Sequence, residues 1–92
     1  MLISLEEIKA YLRVDYDDED ELLQRLNNSA EQLCAHVVRC TQDELVAMAD
    51  DNIRTAIMYA VAYMYEHREE ADHHALTLTL RALLFGHRRE GF

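Results

Sequence analysis

Hydrophobic and polar positions follow a helical period along most of this chain, and one stretch departs from amphipathicity altogether. Within Asn52 to Glu70, the segment Ala56 to Tyr65 reads AIMYAVAYMY and carries no charged residue. Ile53, Ala56, Ile57, Ala60, Val61 and Met64 recur at the spacing of one helix face, while Met58, Ala62 and Tyr65 make the opposite side apolar too. A helix of this kind needs neighbours all round. Its 19 residues would form a rod about 28 Å long, and a small chain has few elements with which to surround it. The pattern therefore predicts a central post that also meets another subunit through Met58, Ala62 and Tyr65.

The other elements are arranged around this post. Ser4-Leu5-Glu6-Glu7 is a capping box that opens a short helix to about Leu12, with Leu5, Ile8, Tyr11 and Leu12 on one face. After a linker over Arg13 to Asp17, the carboxylates Asp17, Asp18, Glu19, Asp20 and Glu21 crowd the expected first turn of a second helix, where the positive end of the dipole favours them. Leu22, Leu23, Leu26, Ala30, Leu33 and Val37 form its apolar stripe, and Asn27, Asn28, Glu31 and Gln32 are expected to face elsewhere. Thr41-Gln42-Asp43-Glu44 is a second capping box, starting a helical turn with Leu45, Val46 and Met48, and Asp50 or Asp51 caps the central helix. Residues 71–74 read as a helix end or loop. Leu76 to Leu80 alternates as a strand would, but Leu76, Leu80, Leu83 and Leu84 also fit a helix leading to Gly86, and a lone strand has no partner. The predicted fold is all-α: a single-domain bundle over residues 1–92 with a long central helix, two N-terminal helices and a short C-terminal one.

Composition supports helices, since half of the 92 residues are hydrophobic, Pro is absent, and both glycines, Gly86 and Gly91, fall near the end. The charge is unevenly spread. Residues 1–51 hold 13 acidic and 4 basic side chains, whereas residues 52–92 hold 5 of each, so the whole net charge of −9 is N-terminal. Nucleic-acid affinity rests on cationic contacts, so such a surface does not grip phosphate backbones, although it could surround DNA without holding it. Cys34 and Cys40 read as free thiols of a reducing compartment. No signal-peptide pattern opens the chain, and ten uncharged residues are too few to span a bilayer, so the expectation is a soluble, cytoplasmic protein without membrane contact.

No catalytic or metal constellation is persuasive. A calcium loop begun at Asp15 would need Gly at its sixth position and Glu at its twelfth, where Asp20 and Leu26 stand. His67, Glu70 and His74 share a face if the central helix continues, but Glu70 to His73 is a single Glu-x-x-His pair where di-iron bundles use two. Cys34, His36 and Cys40 lack the spacing of a structural zinc site, and neither Ser4 nor Ser29 sits in a nucleophile elbow. No catalytic residue, metal or cofactor is assigned. Tyr59, Tyr63 and Tyr65 read as core or interface residues, where a ring with a hydroxyl suits both roles.

Three stretches in order, LEEIKAYLRVDYDDEDELLQRLNNSAEQL at 5–33, MYAVAYMYEHRE at 58–69 and LRALLFGHR at 80–88, resemble the head-tail connector (adaptor) proteins of long-tailed phages. The resemblance covers nearly the whole chain and contains no catalytic signature. It implies a non-enzymatic, α-helical virion subunit that closes a ring, commonly twelvefold, beneath the portal at the head-tail junction. The ring would extend the DNA channel without specific DNA binding and dock the head-closure or tail-completion protein, after assembly in the host cytoplasm. Candidate subunit or portal contacts are Met58, Tyr59, Ala62, Tyr65, Arg68, Arg81, Arg88 and Arg89. The segment Asp17, Asp18, Glu19, Asp20 and Glu21 is the candidate acidic face, turned either to a basic partner or to the channel. The competing readings are an acidic regulatory subunit of DNA-mimic type and a small metal-dependent helical enzyme.

Overall fold

Side-chain caps set where most of the helices begin. The Ser4 hydroxyl accepts the Glu7 N–H at 3.1 Å while Glu7 Oε1 accepts the Ser4 N–H at 3.2 Å, and Thr41 and Glu44 repeat the arrangement at 3.1 and 3.0 Å. Asp50, not Asp51, caps the central helix by accepting the Ile53 N–H at 3.0 Å. The computed structural model describes residues 2–67 and 73–85 and gives α1 (Leu5–Leu12), α2 (Asp20–Val38), α3 (Gln42–Ala47), α4 (Asp51–Glu66) and α5 (His73–Leu83). It is an all-α bundle with no strand among the described residues.

The stops are less conventional. Arg13 and Arg39 take left-handed backbone angles, φ 59° and 69°, and let Val14 N–H reach the Lys9 carbonyl at 2.9 Å and Cys40 N–H reach the Ala35 carbonyl at 3.0 Å. These are Schellman-type ends built without glycine, at a cost on the order of 1 kcal/mol for each side-chain-bearing residue placed there. At the end of α4, His67 Nδ1 lies 2.9 Å from the Tyr63 carbonyl and its ring stacks on Tyr63 with centroids 4.3 Å apart.

Helix α4 is enclosed as its pattern requires. Ile53, Ala56, Ile57, Ala60, Val61 and Met64 are all buried, in one core with Leu23, Ala30, Cys34 and Val38 of α2, Leu45 of α3, and Leu76, Leu80 and Leu84 in and just after α5. Each large aliphatic side chain withdrawn from water in this way contributes about 1.5–3 kcal/mol. Helices α2 and α4 run antiparallel: Tyr65 meets Glu19 at one end, and Arg54 and Glu31 both hold Leu2 towards the other.

Several expectations are corrected. Asn27 and Glu31 do not face solvent; each is 4% exposed. Asn27 Nδ2 donates to the Ile3 carbonyl at 2.7 Å, Glu31 Oε2 accepts the Leu2 N–H at 3.1 Å, and Arg54 Nη1 donates to the Leu2 carbonyl at 2.7 Å. An extended N-terminal segment has no ladder to satisfy its backbone, so these three side chains replace one. Only Asp20 and Glu21 of the acidic run lie in the first turn of α2; Asp17 and Asp18 precede it, because the bend at residues 16–19 delays the helix. Within the described residues α4 ends at Glu66 with His67 as its C-cap, and the stretch that would join His67 to His74 lies outside them. Helix α5 ends at Leu83, while the continuation to Glu70 and the cap at Gly86 lie outside the described residues.

The N-terminal clamp should be separable from the surface around it. Asn27→Ala leaves the buried Ile3 carbonyl without its donor and is expected to lower unfolding free energy by about 1–3 kcal/mol, read by urea denaturation. Asn28→Ala, one residue on and exposed, is expected to change it by no more than about 0.5 kcal/mol.

Candidate subunit interface

Helix α5 has two apolar faces, of which the bundle uses one. Leu76 and Leu80, continued by Leu84, point inward and are completely buried, whereas Ala75, Leu78, Ala82 and Phe85 recur at i, i+3, i+7 and i+10 on the outer side and are all exposed. Phe85 is 79% exposed and Leu78 51%. A stripe of this length turned to solvent is a candidate contact surface. Sequence reading missed it because Leu76 to Leu80 looked like alternation with Thr, and only the burial of Leu76 and Leu80 shows that Leu78 lies outside.

A second apolar concavity lies between α1 and α4. Tyr11, Thr55, Met58 and Tyr59, with Ile3, line a groove of about 250 Å³, crossed at its rim by the Glu7–Arg54 ion pair. Tyr11 sits at the edge of its helix face and is exposed, although the pattern groups it with the buried Ile8. Tyr59 is also exposed, whereas Met58 and Tyr65 are partly buried against the core and Ala62 is partly buried. Arg68, Arg88 and Arg89 lie outside the described residues.

The acidic segment divides into engaged and disengaged carboxylates. Lys9 Nζ stands 2.6 Å from Asp17 Oδ1 and 2.9 Å from Asp20 Oδ1, the second an ion-pair distance without the alignment of a directed hydrogen bond. The bond from Asp17, then the contact with Asp20, raises the Lys9 ammonium to about 12, and the same bond from Lys9 holds the Asp17 carboxyl below its usual range. Glu19 Oε1 accepts from the Tyr65 hydroxyl at 2.6 Å and the Tyr16 hydroxyl at 3.1 Å, which ties the bend to the end of α4. Asp15, Asp18 and Glu21 remain exposed without such contacts.

The opposite end of α2 carries the other sign. His36, Arg39, Cys40 and Thr41 join Glu44 of α3 and Thr77 and Arg81 of α5 around an open cleft of about 650 Å³. Arg81, a candidate contact residue, therefore projects beside Arg39. Cys34 is buried, and burial, then the Glu31 charge, pushes its thiol up to about 12. Cys40 at the cleft is only partly buried. Among the described residues no three His, Cys, Asp or Glu side chains gather as a metal site, and no helix is long and apolar enough to cross a membrane.

The fold defines a small all-α bundle with apolar surface left on its outer helix. The model of the phage gp6-like head-tail connector proteins matches residues 2–83, nearly the whole chain, and the chain belongs to that family. It is thus a structural connector of the phage head-tail junction, in a family that is not enzymatic. Searches of curated proteins and of solved structures returned no match.

Two measurements check this local chemistry. At mildly alkaline pH a thiol reagent is expected to modify Cys40 in the native protein and Cys34 only after unfolding, so one equivalent reacts fast and the second appears with denaturant. The hydrogen bond to Glu19, then desolvation, raises the Tyr65 phenol from 10.0 to about 12. A raised folded-state value stabilises below the unfolded pKa, and that contribution is lost as pH climbs from 10 towards 12. Thermal unfolding of Tyr65→Phe should therefore fall less steeply across that window than the wild type.

Proposed function

We propose that this chain, read as one helical domain over its 92 residues, closes a ring of identical subunits beneath the portal, extends the DNA channel and presents a docking surface to the head-closure or tail-completion protein. The observation that carries this reading is the outer stripe of α5. A heterologous ring gives every subunit a neighbour on each side, so an apolar ridge left open in the monomer is covered in the assembly. Family membership supplies the virion context, and the excess of acidic side chains agrees with a channel through which DNA moves without being held. Assembly begins in the host cytoplasm, where Cys34 and Cys40 stay reduced. Twelve is the subunit number that the resemblance suggests.

The acidic-inhibitor alternative is less well supported. It would need an array of free carboxylates to stand in for phosphates, and Asp17, Glu19 and Asp20 are engaged within the chain.

Leu78→Glu places a charge on the outer ridge without disturbing the core. Its circular dichroism and melting should match the wild type, while self-association, followed by light scattering and electron microscopy, should weaken tenfold or more, about 1.4 kcal/mol. Ala62→Glu makes the same test of the outer side of α4. Unchanged rings in both variants would sink the lateral-contact reading.

A further inference from the structure

Two uncovered surfaces of this subunit run for the same length. Leu78 and Ala82 of α5, continued by Phe85, form an exposed ridge over two helical turns, about 10 Å, directed away from the bundle because Leu76 and Leu80 on the other side are completely buried. Between α1 and α4 lies the groove of about 250 Å³, with Tyr11 on the α1 side and Thr55, Met58 and Tyr59 on the α4 side. Ala62, partly buried, extends the α4 side to the same two turns, again about 10 Å. Among the described residues no side chain fills this trough or covers the ridge.

We infer that the α5 ridge of one copy of this chain packs into the α1–α4 trough of the next. This rests on the ring reading above and names the two surfaces that meet in it. Three features pair this occupant with this trough. The shapes match: Ala82 on the ridge and Ala62 on α4 leave room for larger neighbours, so Leu78 and Phe85 enter beside the exposed rings of Tyr11 and Tyr59 as ridges enter grooves. The charges match too. Arg81 borders the ridge between Leu78 and Phe85, while the first turns of α1 and α4, which flank the trough, carry the exposed carboxylates Glu6 and Asp51. Finally, pairing ridge with ridge across a two-fold axis would bring two Arg81 side chains to one seam, whereas the trough offers the opposite sign. Because the ridge points away from its own bundle, no subunit fills its own trough, and each takes a different neighbour on either side. Contacts of that kind close a ring where the rotation between copies permits.

Arg54 has a defined part in this arrangement. It donates to the Leu2 carbonyl at 2.7 Å and pairs with Glu7, whose other oxygen accepts the Ser4 N–H at 3.2 Å, so the start of α4, the N-terminal segment and α1 are tied together along the trough. The trough is thus a preformed shape, which lowers the ordering cost of association. Since Glu7 and Arg54 already neutralise each other at its rim, a seated ridge leaves neither as a lone buried charge.

Cross-linking of the full-length chain tests the pairing. In a Cys34→Ala, Cys40→Ser background that melts and assembles as the wild type does, Tyr59→Cys and Leu78→Cys place one thiol on each side of every contact. A short bismaleimide added to the assembled double-cysteine protein should join subunits into a ladder of covalent multimers beyond the dimer on a denaturing gel, and either cysteine alone should leave monomers. Dimers from Leu78→Cys alone would mean that ridge meets ridge, and an assembled double-cysteine protein without a ladder would mean that the ridge sits elsewhere; either result overturns the pairing while the ring reading stands. A second arm needs no cysteine. Tyr59→Glu should weaken self-association about tenfold or more, as Leu78→Glu does, with melting close to wild type. If Leu78→Glu blocks assembly and Tyr59→Glu leaves it unchanged, the trough is not the seat. A wild type that remains monomeric at every concentration, alone and with portal, overturns both readings.

Discussion

A helix that is apolar around its circumference has to be enclosed, and the rest of this small protein is arranged to enclose α4. Helix α2 lies antiparallel along one side, α5 folds back along another, and α1 with the segment Leu2 to Ser4 covers a third. That last piece is held by polar groups. Asn27, Glu31 and Arg54 each bond to the backbone of Leu2 or Ile3, so the Leu2 N–H and the Leu2 and Ile3 carbonyls of an irregular segment are satisfied at the core. A buried carboxylate and amide in α2 are thus part of how the apolar core is closed, and their removal would open it at the N-terminus.

Enclosure is incomplete at α5, and that incompleteness is the link from fold to function. A helix of a three-layer protein would be covered on both faces, but among the described residues none covers the outer face of α5, and Leu78 and Phe85 are exposed. For an isolated monomer this is a liability; on the proposed ring reading it is the surface that a neighbour covers. Charge is uneven as well. Internal pairing engages Asp17, Glu19 and Asp20, and Arg39 and Arg81 lie towards the other end of α2, so charge is distributed with a polarity along that helix.

Much of the fold was legible in the chain itself. The two capping boxes, the Asp50 cap and the spacing Ile53, Ala56, Ile57, Ala60, Val61 and Met64 each report a local or single-helix property, which sequence encodes directly. The helix ends were harder to read, because Arg13 and Arg39 occupy left-handed positions where glycine is the usual signal. The proposed contact surface was legible only in part. Arg81 and the acidic run stood out by charge, but Leu78 was hidden in a Leu-Thr alternation, and Tyr11 was grouped with residues that turn out to be buried.

What the sequence by itself determined is the set of helices, the apolar girth of α4, the one-sided charge and the family. What only the tertiary structure decided is which of two apolar sides of α5 faces inward, that Asn27 and Glu31 turn into the core, and which carboxylates find partners within the chain. The division has a physical reason. Period and capping depend on residues a turn apart, whereas burial and pairing depend on residues such as Arg54 and Leu2 that are distant in sequence and are brought together only when α2 and α4 pack.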